Sequence, residues 1–150
     1  MLLLPYMFWG YEMSKQRIHA GQVAVVTGAA RGIGLGIATR LAALGVITYM
    51  LDRDEAALDK EVNFLNREGM TVRSIALNLT DGVAVGHAFK EIGAAEGTLD
   101  FLVNNAGVVR DKRFLKMSEE DWDLVVDTNL RAQFLCCKAA LRSASTPDAG

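Results

Sequence analysis

Thr27-Gly28-Ala29-Ala30-Arg31-Gly32-Ile33-Gly34 is the stretch that decides the fold of this 150-residue chain. Before it stands Val23-Ala24-Val25-Val26, a short, largely β-branched run that reads as a buried strand. After it Ile33, Ile37, Leu41 and Leu44 recur at helical spacing, which predicts a helix over 33–44 with those residues on its buried face. A glycine-rich turn therefore joins a strand to a helix N-terminus. Gly28 permits a tight turn, and Gly32 and Gly34 leave no Cβ where backbone must approach phosphate and where the helix packs on the strand. The free N–H groups of the first helical turn then point at an anion. That arrangement binds a dinucleotide pyrophosphate.

Working outward, strand and helix patterns alternate. Strands are expected near 22–27, 46–51, 70–77 and 98–104, and helices near 33–44, 54–68, 81–96 and 119–145, the last bent or split near Thr128. Leu58, Val62 and Leu65 line one face of the second helix, and Val85, Phe89 and Ile92 one face of the third. Ser118 followed by Asp121 resembles a capping box at the start of the last. Such alternation predicts an α/β, doubly wound parallel sheet with helices on both faces and strand order 3-2-1-4. The pyrophosphate site falls between strands one and four, where the order reverses, and strand four is left as a bare edge.

Asp52 closes the second strand, about 20 residues beyond the glycine turn, where an acid accepts from the adenosine ribose hydroxyls. It also fits a turn or helix-capping role, since Asp54 and Glu55 open the next helix. A carboxylate there repels a 2′-phosphate and favours NAD; Arg53 beside it would accommodate NADP. Asn78-Leu79-Thr80-Asp81 follows the third strand, with Thr80 or Asp81 suited to cap the helix after it. Asn104-Asn105-Ala106-Gly107 follows the fourth strand, and Asp127-Thr128-Asn129-Leu130 lies within the last helical region. Taken alone, the first of these asparagine runs is a loop signal and Asn129 a buried amide satisfied by backbone.

Together, the T-G-x-x-x-G-x-G turn, the N-N-A-G run and the stretch from Asn105 to Trp122 resemble the short-chain dehydrogenase/reductase family. Within it they are most similar to the 3-oxoacyl-[acyl-carrier-protein] reductase branch. The resemblance covers roughly residues 20 to 145 and implies a Rossmann fold. It implies a nicotinamide cofactor, NAD with NADP as the alternative, held by Gly28, Arg31, Gly32, Ile33, Gly34, Asp52, Asn78, Leu79, Asn105, Ala106 and Gly107. Asn78 would accept from the adenine amino group beside the Leu79 backbone, and Asn105 would contact the nicotinamide-side ribose. Asn129 would be the asparagine of an Asn-Ser-Tyr-Lys catalytic tetrad, holding a water in the proton relay. The implied reaction is hydride transfer to or from a carbonyl or secondary alcohol, with a 3-oxoacyl thioester as substrate and a homo-oligomer as assembly.

The serine, tyrosine and lysine of that tetrad follow a fifth strand in the family, and no counterpart is found here. Tyr11-Glu12-Met13-Ser14-Lys15 has the Y-x-x-x-K spacing but precedes the first strand, so it is rejected. The expectation is an extension over 1–12 and a partial cofactor-binding domain over 13–150, truncated after strand four and inactive alone. A catalytically dead dinucleotide-binding module and a subunit completed by a partner are the alternatives.

Net charge is −2 without a basic block, which argues against nucleic acid. His19 and His87 are isolated and no His/Cys cluster has ligand spacing, so no metal is expected. The apolar start, Met1 to Trp9, is far short of a bilayer span and lacks a basic n-region, so no membrane association is expected. Cys136 and Cys137 are adjacent on a helix, about 100° apart, which disfavours a disulfide and suits packing residues in a reducing cytoplasm.

Overall fold

The computed structural model describes residues 18–144; the expectations for 1–12 and for Tyr11 and Lys15 lie outside them. Four strands, β1 (Val23–Thr27), β2 (Ile47–Asp52), β3 (Val72–Ala76) and β4 (Phe101–Val103), form one sheet in the order β3-β2-β1-β4. All pairings are parallel, with Val25 opposite Tyr49 on one side and Leu102 on the other. The intervening helices are α1 (Gly32–Ala43), α2 (Glu55–Arg67) and α3 (Gly82–Glu96). After β4 come a 3-10 turn at Phe114–Lys116, α4 (Glu119–Val126), a π turn at Asp127–Arg131 and α5 (Ala132–Ala144). The split expected near Thr128 is therefore one helical path interrupted by a wider turn, a device that re-aims side chains in mid-helix.

β1 is buried on both faces, as its unbroken apolar run requires. Ala24 and Val26 point into a core with α1 and α2; Val23 and Val25 point into a second core with Val85, Phe89 and Ile92 of α3 and Cys136 of α5. Leu58, Val62 and Leu65 are the buried residues of α2, as their spacing predicts. The helices start where their caps stand: the Asp54 carboxylate accepts the Ala57 N–H, and the Asp81 carboxylate accepts the N–H groups of Val83 and Ala84. Ser118 Oγ accepts the Asp121 N–H, and the Asp121 carboxylate turns back on Ser118, accepting from its hydroxyl and its backbone as well as from Lys112, as the capping-box spacing predicts.

Two local expectations change. The buried residues of α1 are Gly34, Ala38, Leu41 and Ala42, whereas Ile33 is 77% exposed and Leu44 38% exposed. Small residues win that face because the helix lies close on the sheet; Ile33 sits in the first turn and Leu44 is already the C-cap. β4 is shorter than its apolar run; just ahead of it Asp100 meets Val23, donating its N–H to the Val23 carbonyl at 2.9 Å and accepting the Val23 N–H on its carboxylate at 2.8 Å. β4 is also the edge of the sheet among the described residues, and Phe101, Leu102 and Val103 are only half-buried.

Candidate cofactor-binding site

The site starts at the C-terminal ends of β1 and β4, which are stapled by one buried hydroxyl. Thr27 Oγ1 donates to the Val103 carbonyl at 3.3 Å and accepts the Asn105 and Ala106 N–H groups at 3.0 and 3.1 Å. The Asn105 amide then donates to the carbonyls of Thr27 and Gly28 at 3.0 and 3.1 Å. Asn105 thus holds the glycine turn in place through its side chain.

The glycines of that turn do different work. A Cβ on Gly28 would stand 2.8 Å from Ala106 Cα, and one on Gly34 only 2.2 Å from the Gly28 carbonyl oxygen and 2.5 Å from Asn105 Nδ2. Both positions are closed to any side chain by backbone. Gly32 differs: its φ is +59° and nothing lies within 4 Å of where a Cβ would be. There the backbone conformation selects glycine, and the space in front of it is open.

The turn is tied to β2 through Asp52. Its carboxylate accepts the Ala30 N–H at 3.2 Å with one oxygen and the Asp54 N–H at 3.2 Å with the other. Both roles considered for Asp52, bracing the turn and facing a ligand, are geometrically compatible, since a carboxylate offers about four acceptor positions. After β3, Asn78 Oδ1 accepts from the Thr80 N–H and hydroxyl at 3.1 and 3.0 Å, which folds the segment back on itself.

Helix α1 completes the site. α2, α3 and α4 each have a side chain that accepts from their first-turn N–H groups; α1 has none, and no acidic residue in its first turn. Its N-terminal donors are left for an anion from outside the helix. They open onto a cleft of about 330 Å³ lined by Gly28, Arg31, Ile33, Asp52, Asn78 and Leu79 on one side and by Asn105, Ala106 and Gly107 on the other. The cleft spans the point where the strand order reverses.

Gly32, Gly34 and Asn129 do not line that cleft, although the sequence groups them with it. Gly34 is buried behind the turn. Asn129, on the π turn, accepts the Val108 N–H at 2.8 Å with Oδ1 and donates to the Val108 carbonyl at 2.9 Å with Nδ2, so its side chain clamps the segment after β4. Arg53, Leu77, Thr80, Val108 and Thr128 line the cleft as well. Leu77 and Thr80 flank a recognised motif and Arg53 adjoins Asp52. Thr128 stands in the Asp127–Leu130 run noted in the sequence, and the π turn brings it to the cleft.

Among the described residues, no group of three or more His, Cys, Asp or Glu could hold a metal ion, and no helix is long and apolar enough to cross a membrane. Burial pushes the Cys136 thiol up to about 11. Cys136 and Cys137 are both free thiols.

The model of the short chain dehydrogenase family matches residues 22–150. The 3-oxoacyl-[acyl-carrier-protein] reductase FabG of Escherichia coli (strain K12) is 37% identical over 123 residues, 82% of this chain and 49% of that protein. The FabG of Aquifex aeolicus is 39% identical over 125 residues, 81% of this chain and 50% of that protein. The chain thus spans about half the length of the curated relatives it matches. Among solved structures, a metagenomic short-chain oxidoreductase in complex with NADP superposes with a TM-score of 0.80 at 35% identity, covering 84% of this chain and 57% of that one. A short chain dehydrogenase from Burkholderia cenocepacia J2315, also in complex with NADP, gives 0.78 at 34% identity over 84% of this chain and 52% of that one. This chain therefore belongs to the short-chain dehydrogenase/reductase family.

Proposed function

We propose that the cleft between the ends of β1 and β4 binds a nicotinamide dinucleotide, and that this chain is the cofactor-binding part of an oxidoreductase. The observation that carries the reading is the uncapped N-terminus of α1 behind a glycine turn that admits no side chain at Gly28 or Gly34. Gly28, Arg31 and Ile33 would line the pyrophosphate cradle, whose backbone shape Gly32 and Gly34 permit from behind, and Asp52 would accept from the adenosine ribose. Asn78 and Leu79 would flank the adenine, and Ala106 and Gly107 would let the other half of the dinucleotide lie close. Asn105 acts through the turn it holds. When bound, the nicotinamide supplies or accepts a hydride; the chain binds, orients and excludes water around it.

NAD(H) is the favoured cofactor, because a 2′-phosphate would meet the Asp52 carboxylate at a separation where like charges near a surface repel by roughly a few kcal/mol. NADP(H) is the second reading. Arg31 and Arg53 line the same end of the cleft, neither is in an ion pair among the described residues, and two of the solved relatives hold NADP.

The substrate class we infer is a carbonyl or secondary alcohol, with a 3-oxoacyl thioester favoured by the FabG relatives. Proton transfer to such a carbonyl needs a donor at the nicotinamide end. Among the described residues the tyrosine is Tyr49, whose hydroxyl is held by Glu96 and Arg73. Asn129 has its amide committed to Val108 and serves as a positioning residue. Turnover by the described residues alone is therefore not expected, and a reducing cytoplasm suits the free thiols. Calorimetry of the full chain with NADH and NADPH tests the reading. Tighter NADH binding is expected; tighter NADPH binding overturns the Asp52 argument in favour of Arg31 and Arg53, and binding of neither overturns the site. Reduction of acetoacetyl-CoA by the purified chain would overturn the positioning role and require another proton donor.

A further inference from the structure

We propose that the groove between α3 and α5 is a second binding site, which takes an aliphatic chain ending in a carboxylate. The groove measures about 640 Å³, within the range that small-molecule sites occupy. It shares no lining residue with the cofactor cleft, so the two sites are separate.

The groove exists because of glycine. Gly82, Gly86, Lys90 and Gly93 recur at helical spacing on one face of α3. The two helices touch at both ends of that face. A Cβ on Gly82 would stand 3.3 Å from Leu135 Cδ2, and one on Gly93 3.1 Å from Ser143 Cβ. Between them a Cβ on Gly86 would meet nothing within 4 Å, and Gly86 is not among the glycines with positive φ. Neither packing nor backbone conformation selects glycine there. Glycine weakens a helix interior relative to alanine; at Gly86 what it provides is room in the middle of the groove.

The walls define the occupant. The floor is glycine, alanine and Leu135, and the Ser143 hydroxyl is spent on the Ala140 carbonyl at 2.9 Å. Such a floor leaves the hydroxyls of a sugar or the nitrogens of a heterocycle without partners, and it suits an aliphatic chain. The rim carries Lys90, Lys138 and Arg142 and, among the described residues, no acid. Lys90 and Arg142 have no hydrogen bond or ion pair from their side chains among the described residues; Lys138 Nζ stands 5.7 Å from the centre of the Phe134 ring. Three cations over an apolar floor complement one anionic head on one apolar chain. A concave groove between two helices admits a single chain and not the surface of a bilayer.

The test is calorimetry of the full chain with decanoate, below the concentration at which it forms micelles, and with decanol, the uncharged chain of the same length. Decanoate is expected to bind, and decanol more weakly. Gly86→Leu fills the middle of the groove from an exposed helix position and should fold as wild type does, which urea unfolding checks. It is expected to weaken both ligands by about tenfold or more. Lys90→Gln combined with Arg142→Gln is expected to weaken decanoate about threefold to tenfold, the effect of losing two exposed ion pairs, and to leave decanol unchanged. Absence of decanoate binding to wild type, or binding that Gly86→Leu leaves intact, overturns the site. Equal loss of decanoate and decanol in the double variant, or no loss of either, overturns the role of the rim and with it the carboxylate.

Discussion

Asn129 and Val108 are joined in both directions: the Val108 N–H donates to Asn129 Oδ1 at 2.8 Å and Asn129 Nδ2 donates to the Val108 carbonyl at 2.9 Å. A side-chain amide here imitates a strand neighbour for a segment that has left the sheet. Asn129→Asp keeps the acceptor and turns the donor into a second oxygen facing a carbonyl. Removing one partner of a part-buried bond costs about 1–3 kcal/mol, so the variant is expected to unfold at correspondingly lower urea. Hydrogen exchange should quicken at Val108 before it does in β1. Unaltered exchange there would show that the clamp does not hold the segment.

Glycine substitutions separate packing from conformation. In Gly34→Ala the new Cβ would meet the Gly28 carbonyl at 2.2 Å, and backbone cannot step aside as a side chain does. The expected cost is about 1–3 kcal/mol or more, with loss of dinucleotide binding. Gly36, two positions on in α1, has nothing within 4 Å of its would-be Cβ. Gly36→Ala should stabilise by about 0.5–1 kcal/mol, the usual gain in a helix interior. Thermal unfolding of both variants checks the pair, and a tolerated Gly34→Ala would mean that the turn can open.

Alkaline pH should weaken the fold through Tyr49. Its hydroxyl donates to Glu96 at 2.7 Å and Arg73 donates to it at 2.6 Å. Burial above all, and then the Glu96 hydrogen bond, raise its pKa above the ordinary 10.0. A group whose folded pKa is raised holds its proton longer folded than unfolded, so its contribution is complete below pH 10.0 and is lost as pH climbs through the folded value. Urea unfolding at rising pH should show this loss in wild type and less of it in Tyr49→Phe. Identical slopes would discount the Tyr49 network.

Asp121 ties the loop after β4 to α4. Its carboxylate faces Lys112, the Ser118 hydroxyl and, at 4.0 Å, Arg110; the Lys112 bond foremost holds its pKa below the ordinary 3.8. A depressed pKa means that the tie is present above pH 3.8 and fails as pH falls through the folded value. Because the pair is exposed, salt should loosen it. Asp121→Asn is expected to quicken hydrogen exchange over 108–113 with little change in global stability, and exchange that stays slow would remove Asp121 from the role.

Association should depend on the face that α5 shows to solvent. Leu130 at the end of the π turn is 68% exposed, and Phe134 and Leu141 on α5 are 60% and 70% exposed. Contiguous apolar surface of this kind marks an interaction site or an aggregation liability. The full chain is expected to elute on size exclusion as more than a monomer, and Phe134→Lys to shift it toward the monomer. A sharp monomer peak from wild type would show that the face needs no cover.

Local chemistry carries most of the fold. Strand runs, helical spacing and the capping residues Asp54, Asp81 and Ser118 act within a few residues, so element order, β3-β2-β1-β4 topology and the glycine turn could be read from the chain alone. Asp52 stands out by its distance from the glycine turn, and Asn78 and Asn105 by the resemblance of their motifs to those of the family. What those side chains touch could not be read. Asn105 bonds Gly28 across 77 positions, Asp52 bonds Ala30 across 22, and Asn129 bonds Val108 across 21; each partner is supplied by the packing of separate elements. The same holds for the buried face of α1, where closeness to the sheet excludes Ile33, and for Thr128, which a π turn aims at the cleft. Sequence periodicity encodes which way a regular helix or strand faces. It does not encode the irregular turn or the long-range hydrogen bond, whose geometry exists only once the layers have closed.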